Sequence, residues 1–76
     1  MYNVSIYDKN KRLVAEYEDI HTINYTDDLI ESISISGNEL LTHKFPTAYN
    51  YQLLSDTGNY SIDKSIIGTF EVVKTF

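Results

Sequence analysis

Chemistry in so small a chain has to come from a short roster of side chains. His21 and His43 are the only histidines and there is no Cys, so a metal site would have to combine them with acids such as Asp19. No HxH, HExxH or calcium-loop spacing occurs. Glycine-rich phosphate loops and the GxSxG elbow are missing, and no acid and base stand at a spacing that pairs them for proton transfer. The expectation is a protein that binds and does not catalyse, without metal or cofactor.

The charge pattern says more. The net charge is −5, from 11 acids against 6 bases. Residues 13–43 hold Glu16, Glu18, Asp19, Asp27, Asp28, Glu31 and Glu39 and contain no Lys or Arg. Such a field repels nucleic acid and anionic membrane and steers the chain toward basic partners. Alternate residues of an extended strand lie about 6.5–7 Å apart, near the spacing of successive phosphates. Glu16 and Glu18, continued by Asp19, Asp27, Asp28 and Glu31, could therefore imitate a nucleic-acid backbone for a protein that normally binds one. The plainer expectation is a solvated face that keeps a small β protein soluble and discourages edge pairing. Imitation requires these carboxylates to gather on one surface.

The bases Lys9, Lys11 and Arg12 cluster in one short turn. They are either a solvated hairpin end or a small phosphate clamp, in which Arg12 grips bidentately, the lysines add point charge and a neighbouring Tyr7 or Tyr17 stacks on a base. Seven Tyr and three Phe are a heavy aromatic load. At alternating strand positions most belong in the core with hydroxyls at its rim; exposed together they would anchor a partner.

The elements that must hold these residues are strands. Apolar residues recur with period two in runs of Ile, Val, Tyr, Thr and Phe broken by Asp, Asn and Gly. The first hairpin pairs a strand carrying Val4 and Ile6 with one carrying Leu13, Ala15 and Tyr17, across a turn at residues 8–11. A corner at 18–21 separates the second strand from a third at 22–25, and a break at 26–28 precedes a strand around Ile33 and Ile35. Ser36-Gly37-Asn38-Glu39 fits a capping box opening a short helix, and equally a Gly-Asn hairpin turn that would pair Ile35 with Leu40; adjacent Leu40 and Leu41 favour the helix. Tyr49, Tyr51 and Leu53 lead into a hairpin loop at 56–59 with Gly58 at positive φ, and residues 60–63 return. Residues 64–68 connect, with one helical turn at most, to a final strand expected inside the sheet.

The fold expected is therefore all-β or β-dominated, a small curled antiparallel sheet or barrel of 6–7 short strands with at most one or two helical turns, in a single domain spanning residues 1–76. It matches SH3-like and OB-like folds in size only. A chain of 76 residues cannot hollow out its core for a large enclosed site, so a pocket is more readily built between copies of a homo-oligomer. The opening has neither the basic start nor the apolar run of a secretion signal, and the expected location is the cytoplasm of a bacterial host. Richness in Ile, Asn, Lys and Tyr resembles, in style alone, the short acidic accessory proteins of phages and prophages of low-GC bacteria. The function expected is a phage or mobile-element accessory protein that inhibits a host nucleic-acid-handling defence protein through an acidic, aromatic-flanked surface. The partner would be a basic host protein, with no direct nucleic acid and no membrane. Two alternatives stand beside it: an oligomeric sponge that sequesters a nucleotide signal at Lys9, Lys11, Arg12, Tyr7 and Tyr17, and a small virion structural or assembly protein.

Overall fold

Period-two patterning becomes six antiparallel strands in the computed structural model, which describes residues 1–75. The strands are β1 (Tyr2–Tyr7), β2 (Leu13–Thr26), β3 (Ser32–Ser36), β4 (Tyr51–Ser55), β5 (Asn59–Ile62) and β6 (Thr69–Lys74). One α-helical turn, α1 (Glu39–Thr42), and a 3-10 turn at Lys64–Ile66 complete the chain. The hydrogen-bonded order is β5-β4-β2-β1-β6, with β3 joined to β2 alone. The sheet is open, with β5 and β6 at its two ends.

β2 organises everything else. The third strand expected at 22–25 is instead the second half of one 14-residue strand. The expected corner is a β-bulge: Tyr2 lies opposite Ile20 and Val4 opposite Tyr17, so β2 holds one residue more than β1 over this interval. Asp19 takes it up with φ 57, and Asp is one of the few side chains that enter this region readily. A strand this long can serve several partners. Its first half pairs β1, and its second half pairs β3 through Ile23↔Ile35 and β4 through Ile23↔Leu53. Ile20 lies opposite Tyr2 on one edge and Ser55 on the other, so β1 and β3 run end to end along one side of β2 and β4 lies along the other.

The inner faces bury Val4, Ile6, Ile20, Ile23, Leu53, Ile62 and Ile67 around one core. Curling brings β4 to β6 across it: the Tyr51 and Phe70 rings meet edge-on at 4.6 Å, and Phe45 touches both. α1 packs against β3 and β6 and buries Leu40. Side chains, and not a hydrogen-bonded seam, therefore close the curl.

Three local expectations are corrected. Residues 36–39 do lead into a helical turn, Glu39–Thr42, but with Asn38 in place of Ser36 as N-cap and no side-chain cap; the Asn38 Oδ1 accepts instead from the Tyr2 hydroxyl at 2.7 Å. Gly58 does not adopt positive φ, because Ser55 closes its hairpin by accepting from the Thr57 and Gly58 amides; the left-handed glycine is Gly37. The last strand is an edge strand paired only with β1, held beyond its end by Thr75 donating to the Met1 carbonyl at 3.0 Å. Its expected final residue, Phe76, lies outside the described residues.

Candidate functional site

The bulge decides where the first acids point. Tyr17 and Ile20 both face inward, so the two residues between them, Glu18 and Asp19, both stand on the outer surface, next to outward Glu16. Asp19 is held there by its backbone N–H, which reaches the Asn3 side chain at 3.4 Å. The same surface gains Glu71, which alternation alone does not place there: Ser5 lies between Glu16 on β2 and Glu71 on β6. With strands about 4.8 Å apart, Glu16 and Glu71 are separated by about 10 Å and Glu16 and Glu18 by about 7 Å. All four carboxylates are exposed, and none is paired with a Lys or Arg among the described residues. Lys74 cannot neutralise them, since its Nζ turns to Asn38 at 3.4 Å. Glu71 could be found in sequence only by knowing that β6 lies beside β1, a pairing between chain ends that periodicity does not encode.

The other expected acids are elsewhere. Asp27, Asp28 and Glu31 sit in the β2–β3 loop, beyond the far end of β2. Asp27 lies nine positions along the chain from Glu18, about 30 Å if the strand were straight, so the six carboxylates form two groups and not one stripe. Those in the loop also have duties in the fold. The Asp27 Oδ1 accepts from the Leu29 and Glu31 amides, both at 3.0 Å. Asp28 engages Tyr49, and this hydrogen bond is the main reason the Tyr49 phenol is raised above the usual value near 10.

The basic turn is solvated and built in the same way, with the Asp8 Oδ1 accepting from the Asn10 amide at 2.8 Å and the Arg12 amide at 3.0 Å. The residues expected to join it in a nucleotide clamp are split. Tyr7 faces outward on β1, whereas Tyr17 faces inward, packs on the core and meets the Tyr60 ring at 4.9 Å. Within one copy they cannot line one pocket.

Most other tyrosines belong to the core, as alternation implies. Tyr25 gathers His43, Phe45, Tyr49 and Tyr51, and its hydroxyl meets the His43 Nε2 at 2.8 Å. The Tyr51 hydroxyl donates to the Pro46 carbonyl. Burial pushes the Tyr51 phenol well above its usual range and raises Tyr25 as well, helped there by the Asp27 charge. These phenols stay protonated at neutral pH, and Tyr51 serves as a donor. His21 lies on the outer surface 3.6 Å from Asp56, away from His43 and its aromatic partners. No group of three His, Asp or Glu among the described residues is close enough to hold a metal ion.

A second outer face is uncharged. Ser34, Asn24, Gln52 and Ser61 line up across β3, β2, β4 and β5, and a shallow groove of about 750 Å³ follows Asn24, Gln52 and Ser61 to an end that carries Tyr49, Asp63 and Lys64. The Asn24 Oδ1 is buried there with no hydrogen-bond partner among the described residues.

No family model, no curated protein and no solved structure matches the chain. No helix among the described residues is long and apolar enough to cross a membrane.

Proposed function

We propose that this chain is a non-catalytic binding protein of a phage or mobile element that occupies the basic, nucleic-acid-binding surface of a host defence protein with its outer β2–β1–β6 face. One observation supports the reading above others: Glu16, Glu18, Asp19 and Glu71 share that face, exposed and without Lys or Arg partners among the described residues. Four uncompensated carboxylates about 7–10 Å apart make a field that attracts Lys- and Arg-rich surfaces and accelerates encounter. Glu16 and Glu71 both pair with Ser5, one from each side of β1, so the sheet itself sets their spacing. The loop acids Asp27, Asp28 and Glu31 lie outside this face and have a secondary part at most.

The test is competition between the purified protein and duplex DNA for a candidate host nuclease. The expected result is displacement of DNA that weakens with added salt, and a loss of about tenfold or more when Glu16, Glu18 and Glu71 are all changed to Lys. A triple variant that folds and still displaces DNA as the parent does would remove the reading.

A further inference from the structure

The chain builds one turn twice and fills it with opposite chemistry. In both loops an Asp side chain accepts two amides, from the residues two and four positions on, and the fourth residue is left-handed: Lys11 at φ 64 in the first, Ile30 at φ 61 in the second. Lys11 and Ile30 also donate their amides to the Asp8 and Asp27 carbonyls at 3.0 and 3.1 Å. The first loop shows that polar residues satisfy this geometry. The second puts a β-branched residue where such side chains are genuine outliers, and leaves Leu29 78% and Ile30 86% exposed, the highest values among the large apolar residues. Turn-building does not explain either residue. Strain kept at an exposed, braced tip is the mark of a contact site.

A receptor of mixed character lies on the same molecule. Between α1 and β6 there is a pocket of about 290 Å³ with apolar walls from Leu40, Leu41, Phe45, Phe70 and Val72 and polar ones from His43, Lys44, Thr47 and Thr69. It is smaller than ordinary ligand pockets, which start near 300 Å³, and suits one or two aliphatic side chains. Lys44 is exposed and makes no ion pair among the described residues, while the apolar tip is flanked by Asp28 and Glu31. A chain cannot fill its own pocket, because the tip precedes β3 and α1 follows it, at opposite ends of a strand about 16 Å long.

We infer that the Leu29–Ile30 tip of one copy seats in the Leu40–Phe45–Phe70 pocket of a second copy, with Asp28 and Glu31 beside Lys44. Reciprocal exchange about a two-fold axis buries both tips and closes at a dimer. This interface leaves Glu16, Glu18 and Glu71 untouched, so it stands or falls apart from the function proposed above.

The test is the mass of the full chain in solution, by sedimentation or light scattering, over a range of concentrations. The expected mass rises toward twice that of one chain, and Leu29→Ser with Ile30→Gly weakens association about tenfold or more with an unchanged circular dichroism spectrum. Lys44→Glu weakens it too, and adding Asp28→Lys and Glu31→Lys to that variant restores it. A parent chain that stays at single mass at every concentration overturns the inference and assigns the tip to a foreign partner. So does a tip variant that dimerises as the parent does.

Discussion

Gly68 is the glycine whose missing side chain the fold cannot do without. Its amide donates to the Tyr7 carbonyl at 2.6 Å, and a Cβ there would press into the Asp8 carbonyl group and lie 2.7 Å from the Lys9 nitrogen. Both neighbours are backbone of the first hairpin and cannot swing aside. Gly68→Ala is expected to lower stability by about 2–3 kcal/mol, read as a lower urea midpoint with unchanged slope. Ile30 makes the opposite case. A left-handed L-residue costs about 1–2 kcal/mol, and glycine gives back about 0.5–1 kcal/mol through its freer unfolded chain. Ile30→Gly, at an 86% exposed site with no packing to lose within one copy, should therefore raise stability by about 0.5–1 kcal/mol in the same measurement, made at a chain concentration low enough to keep copies apart. The buried phenols set an alkaline limit. Tyr25 and Tyr51 have folded pKa values raised above 10.0, so the unfolded chain releases these protons first. Their contribution is complete below pH 10 and is lost as pH climbs beyond it. The melting temperature should fall above about pH 10, with tyrosinate absorbance rising together with loss of sheet ellipticity. Tyrosinate forming fully in a chain that keeps its sheet would contradict the burial assigned to these rings.

At the scale of elements, β2 shows what periodicity can and cannot disclose. Alternation in Ala15 to Tyr17 and in Ile33 to Ile35 is legible because each strand has one buried and one wet face, whereas Leu13, expected on the face of Ala15 and Tyr17, lies opposite outward Tyr7 after a second register shift and is exposed; the helical turn at residues 39–42 is legible in adjacent Leu40 and Leu41. The bulge was read as a corner because a bulge and a chain reversal interrupt alternation alike; only the partner strand tells them apart. The same blindness hid Glu71, whose role depends on β6 lying beside β1 with most of the chain between them. It also joined Asp27 and Asp28 to a stripe from which the length of β2 separates them. If the bulge is what keeps Tyr17 inward and Glu18 and Asp19 outward, deleting Asp19 must reverse one half of β2 against the other. The register would then carry Tyr17 to solvent or Glu18 to the core, and the deletion variant is expected to lose cooperative thermal unfolding. Asp19→Gly keeps the residue count and accepts φ 57 without strain, so it should unfold cooperatively at or above the parent temperature. A deletion variant as stable as the parent would mean that the bulge is dispensable.

Across the whole molecule the acids do not offset one another and meet few bases. The close ion pair among the described residues joins His21 to Asp56 at 3.6 Å, and no Lys or Arg forms one. A chain carrying −5 within principal dimensions of 30 × 30 × 23 Å holds its carboxylates within two or three screening lengths of each other, that length being about 10 Å in 0.1 M salt. Folding concentrates this charge, so repulsion opposes the native state most strongly at low ionic strength. Added sodium chloride should therefore stabilise the protein. A screened repulsion worth about 0.5–1 kcal/mol corresponds to about 2–8 °C in melting temperature for a domain of this size. The triple change of Glu16, Glu18 and Glu71 to Lys adds six charges and takes the net from −5 to +1. That variant should melt higher than the parent in low salt and respond little to added salt, even as it loses the capacity to displace DNA. Stability and binding then move in opposite directions through the same three side chains, as expected of a surface that carries repulsion for the sake of a partner. If the parent's melting temperature falls as salt is added, local attractions that the described ion pairs do not account for outweigh the net charge, and the acidic face is not the uncompensated field that the proposed docking requires.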